Sequence, residues 1–100
     1  VLDKKGRIIR VNTTEARMLG YKQEEMIGQP VFKFISPEDV QEARKRFKQK
    51  ISGRLVSRAE KVTYLRKDGS RIYMAVEDVV EKDRKGNIIG IRSTMVDITE

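Results

Sequence analysis

The chain has 100 residues and a formal net charge of +7, from 22 Lys and Arg against 15 Asp and Glu. That length suits one domain with a single core, so residues 1–100 are expected to form one domain, excised from a longer protein. Cys and His are absent, which excludes disulfides, thiol chemistry, Cys/His zinc sites and imidazole catalysis. No apolar run approaches the length of a membrane span, which predicts a cytoplasmic domain without direct membrane contact.

The positive charge is spread along the chain, with one denser run over residues 44–50 (RKRFKQK). No aromatic-basic platform or recognition helix accompanies this run, so it is interpreted as a solvated helix face and not as a nucleic-acid site.

The first half of the chain begins with strand-like residues and then changes to a helical period. Residues 1–3 and 7–11 predict two strands, with Ile9 and Val11 facing the core and Ile8 facing outward. Asn12 is a good N-cap with Glu15 at the capping-box position, which predicts a short helix ending at Gly20.

A second helical turn is expected over residues 21–27, poorly capped at Lys22, followed by a buried segment of uncertain type over residues 29–35. The clearest helix begins at Ser36, which is expected to cap it, with Pro37 in the first helical position. It carries one apolar stripe and ends near Gly53.

The second half predicts three strands joined by short turns. Asp68-Gly69 lies between two runs rich in β-branched and aromatic residues, a strong hairpin signal. A two-residue turn would put Thr63 and Leu65 on the inner face, whereas a three-residue loop with a bulge at Gly69 would put Val62 and Tyr64 there. A further turn at residues 83–87 leads to a last strand over residues 88–98.

These elements predict an α+β domain, a five-stranded antiparallel sheet with short helices packed over one face. Several short motifs, in this order and spacing, resemble those of the PAS domain family and cover nearly the whole chain: Leu19-Gly20-Tyr21, Glu24 to Gly28, Pro37-Glu38-Asp39, Lys67 to Ser70, and Asp97-Ile98-Thr99-Glu100. The resemblance implies a sensory or dimerisation module with a cupped pocket, of the kind found in histidine kinases, cyclic-dinucleotide enzymes and transcription regulators. A sensor histidine kinase is the expected parent protein. It also implies that Asp97, Ile98 and Thr99 form the signal exit toward an output domain in the same chain.

The resemblance also bears on cofactors. Flavin–thiol light sensors of the family carry a reactive Cys at the position matching Val31, and haem-binding members use a His axial ligand. The positions matching the flavin-contacting amides are Tyr64, Met74 and Met95, which cannot make the same paired contacts. The resemblance therefore argues against flavin and haem, and the ligand stays unknown.

The expected pocket is apolar with a few convergent polar groups, which is typical of a small-ligand site. Its candidate ligand-binding residues project from the sheet and the helices: Leu19, Phe34, Tyr64, Met74, Val76, Asp78, Ser93 and Met95. The competing interpretation is a collapsed core that binds nothing. No catalytic or metal-binding constellation is recognised, so an enzyme is not predicted.

The resemblance favours the register with the bulge at Gly69, in which Glu60 and Asp78 lie close together on the inner face. Because facing carboxylates repel, either one of them is protonated or a Lys or Arg lies between them, and together they would form a polar mouth that selects a cationic or hydrogen-bond-donating ligand. The competing interpretation is that the strands fray or diverge there and leave both carboxylates in water. The last interpretation is favoured from the sequence.

The outer sheet face is expected to carry an apolar strip of Ile8, Tyr73, Ala75, Val79, Val96 and Ile98. PAS domains commonly pair through this face, which predicts a weak homodimer. The sequence thus favours a ligand-binding sensor module, with a ligand-free module for protein interaction and spacing as the alternative.

Overall fold

An antiparallel sheet forms the floor of the domain, and the helices lie across one of its faces. The computed structural model describes residues 1–53 and 59–99. The strands are β1 (Leu2–Asp3), β2 (Glu60–Leu65), β3 (Arg71–Lys82) and β4 (Ile88–Asp97), in the order β1-β4-β3-β2. The helices are α1 (Thr13–Leu19), α2 (Gln23–Met26), a 3-10 helix (Val31–Phe34) and α3 (Val40–Ile51).

Among the described residues the sheet has four strands, so the predicted strand over residues 7–11 is wrong. The backbone hydrogen bonds of this segment go to two different neighbouring segments. The Ile8 N–H donates to the Gln29 carbonyl (2.9 Å) and its carbonyl accepts from Gly28 (2.7 Å), whereas the Ile9 N–H donates to Val1 (2.8 Å). Because the segment bends between these partners, Ile8 is 5% exposed and Ile9 49% exposed, the reverse of the predicted alternation.

The capping box that begins α1 is confirmed. The Asn12 carboxamide accepts from the Glu15 N–H (2.7 Å), the Glu15 carboxylate accepts from Asn12, and Gly20 ends the helix in the left-handed conformation. The Lys22 side chain makes no capping bond, as expected. The Glu25 carboxylate instead accepts from the Lys22 N–H (2.9 Å), which supports the start of α2.

The longest helix begins later than predicted, at Val40, and the Ser36 hydroxyl makes no hydrogen bond within the described ranges. The turn before the helix binds the edge strand β2 instead. The Ser36 N–H donates to the Thr63 carbonyl (2.8 Å), and the Thr63 N–H donates to the Asp39 carboxylate (2.8 Å). These bonds attach the start of α3 to an edge of the sheet and so satisfy backbone groups that the edge leaves unpaired.

The β2–β3 hairpin has the three-residue loop with the bulge. Tyr64 pairs with Ile72, the Arg66 N–H donates to Ser70 (2.7 Å), and Gly69 has φ 88°, which favours glycine. Val62 and Tyr64 consequently face the core, and the two-residue alternative is excluded.

The core lies between the sheet and the helices. Leu19, Ile72, Met74 and Ile91 are fully buried in it. A register shift at Glu81/Lys82 interrupts the β3–β4 pairing beside Ile89, whose side chain is half exposed. No helix in the described parts of the chain is long and apolar enough to cross a bilayer.

Candidate ligand-binding site

A cluster of charged side chains joins α3 to the sheet at one end of the cup. The Lys50 Nζ lies 2.7 Å from Asp78 Oδ2 and 2.9 Å from Glu60 Oε1. The other oxygens are also bound, because Arg46 donates to Glu60 Oε2 (3.1 Å) and the Ser93 hydroxyl donates to Asp78 Oδ1 (2.5 Å). We call Arg46, Lys50, Glu60, Asp78 and Ser93 the ionic cluster.

Strand register explains why the two carboxylates meet. Glu60 pairs with Val76, so Asp78 is its diagonal neighbour on the same face, and Asp78 lies directly opposite Ser93 on β4. The side chains of Glu60 and Asp78 are 11% and 15% exposed. The favoured expectation that both lie in water is wrong, and the alternative of a cation between them is confirmed by Lys50.

Lys50 remains charged in its buried position. Burial alone would lower the pKa of its ammonium group, but hydrogen bonds to Asp78 and Glu60 outweigh that effect and raise the pKa above its usual value. The Lys50 side chain is 3% exposed. A buried ammonium of this kind is tolerated because two carboxylates compensate its charge.

The sequence interpretation missed Lys50 because it grouped the residue with the basic run over residues 44–50. The helical period of the sequence does indicate that Lys50 faces the sheet. Lys50 follows Phe47 by three residues and Ala43 by seven, so it lies on the stripe that faces the sheet, whereas Lys45 and Lys48 face solvent.

Two small cavities flank the side chain of Tyr64. An apolar cavity of about 40 Å³ lies under α1 and α2, and a second cavity of about 50 Å³ lies beside the ionic cluster. We call the second one the polar cavity because the ionic cluster supplies one side of it, although its other lining residues are mostly apolar. The Tyr64 side chain lines both, is 5% exposed, and its hydroxyl makes no hydrogen bond to a described residue. Burial and the nearby carboxylates of Asp78, Glu15 and Glu60 raise the pKa of Tyr64 well above its usual value, so the hydroxyl is uncharged.

The structure distributes the candidate site residues between the two cavities. Leu19, Phe34 and Met95 line the apolar cavity, Val76 and Asp78 line the polar one, and Ser93 borders both. Met74 lines neither, because it is fully buried in the packed core.

The predicted exit segment is bound along β3. The Ile98 N–H donates to the Tyr73 carbonyl and the Tyr73 N–H donates to the Thr99 hydroxyl, each at 2.9 Å. The Asp97 side chain accepts from the Thr99 N–H (2.8 Å), and this bond lowers the pKa of its carboxyl group. Glu100 lies outside the described residues.

The outer sheet face carries an exposed apolar strip. Tyr73, Val79 and Ile98 are partly exposed there and Val96 is 57% exposed. Ile8, expected in this strip, lies in the core instead. We call Tyr73, Val79, Val96 and Ile98 the outer strip.

The comparisons with known proteins agree with this architecture. The sequence model of the PAS domain family matches residues 1–100. The chain belongs to the PAS domain family. Its fold is similar to the PAS domain of a protein from Colwellia psychrerythraea, with a TM-score of 0.86 and 25% identity over 97% of this chain and 81% of that one.

Two further relatives are a sensor protein and a quorum-sensing receptor. The chain is 31% identical over 100 residues to the C4-dicarboxylate transport sensor protein DctS of Rhodobacter capsulatus, covering 98% of this chain but 15% of that protein. It is 26% identical to the PAS domain of the RpfR quorum-sensing receptor of Cronobacter turicensis, solved in complex with BDSF. That match has a TM-score of 0.76 and covers 98% of this chain and 89% of that one.

Proposed function

We propose that this PAS domain is the sensory module of a signal-transduction protein and that a small molecule binds beside Tyr64. The Tyr64 side chain carries the proposal, because it is buried, lines both cavities and forms no hydrogen bond through its hydroxyl to a described residue. The hydroxyl can therefore donate to and accept from a molecule in either cavity.

The ionic cluster supplies the route by which binding affects the exit. Lys50 belongs to α3, Asp78 to β3 and Ser93 to β4, and the three side chains form one connected chain of contacts. Ser93 precedes Asp97 on the same strand. A ligand that moves Tyr64 or Asp78 alters the bond to Ser93 and, through β4, the segment Asp97–Thr99.

The relatives support a sensory role. RpfR is a quorum-sensing receptor whose PAS domain was solved with BDSF bound, and DctS is a transport sensor protein. This chain spans 15% of the length of DctS. We propose that its parent is a sensor histidine kinase with the output domain in the same chain, and that the domain works in the cytoplasm as a homodimer paired through the outer strip.

A second function, ligand-free dimerisation and spacing, is favoured by one observation. The cavities of about 40 and 50 Å³ are far smaller than the roughly 300–1,000 Å³ of sites for drug-sized ligands. Under this alternative, ordered water satisfies Tyr64, since a water needs only about 10–15 Å³.

Native mass spectrometry of the purified domain distinguishes the two functions. The sensory proposal predicts a population heavier than the bare chain by the mass of a small organic molecule, and denaturation should release that molecule. A mass equal to that of the bare chain in every preparation, with no small molecule restoring the heavier species, would favour the ligand-free module.

A further inference from the structure

We infer that the polar cavity selects an uncharged ligand group that both donates and accepts hydrogen bonds, such as a carboxamide, over organic cations and anions. This inference rests on the proposed function, because it names the ligand class of the same site. Its basis is that the charged groups of the ionic cluster already pair with one another.

Cations are excluded because the carboxylates are already occupied. Both oxygens of Glu60 and both of Asp78 accept bonds from Lys50, Arg46 or Ser93. An organic ammonium would have to displace the Lys50 ammonium and leave that charge buried and unpaired, which is strongly unfavourable. This argues against the cationic half of the hypothesis drawn from the carboxylates alone and keeps its hydrogen-bond-donating half.

Anions are excluded by the same two carboxylates, those of Glu60 and Asp78. An anion that approached the Lys50 ammonium would come close to the carboxylates of Glu60 and Asp78, and like charges at this range repel. With two carboxylates against Lys50 and Arg46, the four charged side chains of the ionic cluster are neutral as a set. The cluster therefore carries no net charge that would attract either sign of ligand.

An uncharged amphiphilic ligand fits the hydrogen-bonding groups and the apolar surface that line the two cavities. The Tyr64 hydroxyl offers one donor and one acceptor, and Asp78 and Ser93 line the same cavity. Leu19, Phe34 and Met95 line the apolar cavity on the other side of Tyr64. A short amide with an alkyl tail can place its polar end in one cavity and its tail in the other once Tyr64 moves aside.

The test uses three probes with one carbon skeleton: butyramide, butyrate and butylammonium. Each is titrated into the 100-residue chain while backbone amide shifts are followed by NMR. Butyramide is expected to perturb residues around both cavities, including Tyr64 and Ser93, and the two charged probes to bind at least about tenfold more weakly. Tyr64→Phe, which keeps the ring, should weaken butyramide about threefold to tenfold.

A variant that leaves the ionic cluster with a net negative charge provides the matched control. Lys50→Ala removes the cation and leaves the two carboxylates, so selectivity should change to butylammonium, which then replaces the lost side chain. If Lys50→Ala is too unstable for titration, the same change is measured as a rise in its melting temperature caused by butylammonium but not by butyramide.

The outcomes separate the inference from the proposed function. If butyrate or butylammonium binds the unaltered chain as tightly as butyramide around the same cavities, the inference is overturned while the ligand site stands. If all three probes leave every residue around both cavities unperturbed, the ligand-binding half of the proposed function fails together with the inference.

Discussion

The Nζ of Lys50 lies 2.7 Å from Oδ2 of Asp78, so a cation on the last turns of α3 is bound to a carboxylate in the middle of β3. The lysine side chain is 3% exposed. This contact connects the helical cover to the sheet.

Replacing Lys50 by Met should strongly destabilise the domain. The change leaves Glu60 and Asp78 buried with no ammonium between them, and breaking a buried pair from one side costs about 3–5 kcal/mol. Urea unfolding followed by circular dichroism measures the loss. Lys48→Met, on the exposed face of the same helix, is the control and should stay within about 0.5 kcal/mol of the unaltered protein. Equal stability of the two variants would contradict the geometry of the ionic cluster.

Alkaline pH should remove the contribution of Lys50. Its pKa is raised in the folded state above the ordinary value of 10.5, so the folded protein holds this proton more tightly than the unfolded chain does. The stabilisation is complete below that ordinary value and is lost as pH rises through the folded-state pKa. The difference in unfolding free energy between the unaltered protein and Lys50→Met should be constant near neutral pH and shrink in strong alkali. A difference that grows with pH would contradict the sign of the shift.

Gly90→Ala should separate β1 from β4. A Cβ atom at this position would lie 2.2 Å from the Leu2 carbonyl oxygen, a backbone atom that cannot move without opening the strand pair. We expect a loss of about 1–3 kcal/mol, the usual cost of overpacking, and faster hydrogen exchange at Ile91. Ile89→Ala, an exposed side chain on the same strand, serves as the control. Retention of full stability in Gly90→Ala would show that β1 lies farther from β4.

A charge in the outer strip should weaken self-association. Val96→Glu places a carboxylate on the most exposed side chain of that strip, and burying it in a dimer without a partner is unfavourable. Sedimentation over a concentration series should show the unaltered domain pairing at concentrations where Val96→Glu stays monomeric. Ile89→Glu, similarly exposed but outside the strip, should pair like the unaltered chain. If both variants associate alike, pairing uses another face.

Local patterns were sufficient to predict several features. The Asn12–Glu15 capping box, the bulge at Gly69 and the inward side chain of Tyr64 each follow from a few neighbouring residues or from the family resemblance. In these places the local preference and the final packing agree, so the sequence interpretation was confirmed.

The errors arose where the deciding partner lies far along the chain. Ile8 faces inward because its backbone binds Gly28 and Gln29, which alternation within residues 7–11 cannot reveal. The same limit hid the role of Lys50. Lys50 is one of several basic residues in a run whose other members are at least partly exposed to solvent. Asp78 and Glu60 become its partners only after the helix packs on the sheet.

Hydrogen exchange at the exit segment of an Asp78→Asn variant tests the central claim, that the ionic cluster is mechanically connected to the end of β4. The substitution keeps the shape of the side chain but removes the charge that holds Lys50 and Ser93 together. Met26→Ala serves as the comparison, because it shortens a buried side chain of α2 and so lowers stability away from the ionic cluster. The account predicts that exchange at Tyr73, Ile98 and Thr99 accelerates more in Asp78→Asn than in a Met26→Ala protein of equal or lower stability. Equal exchange at these three amides in both variants would contradict it.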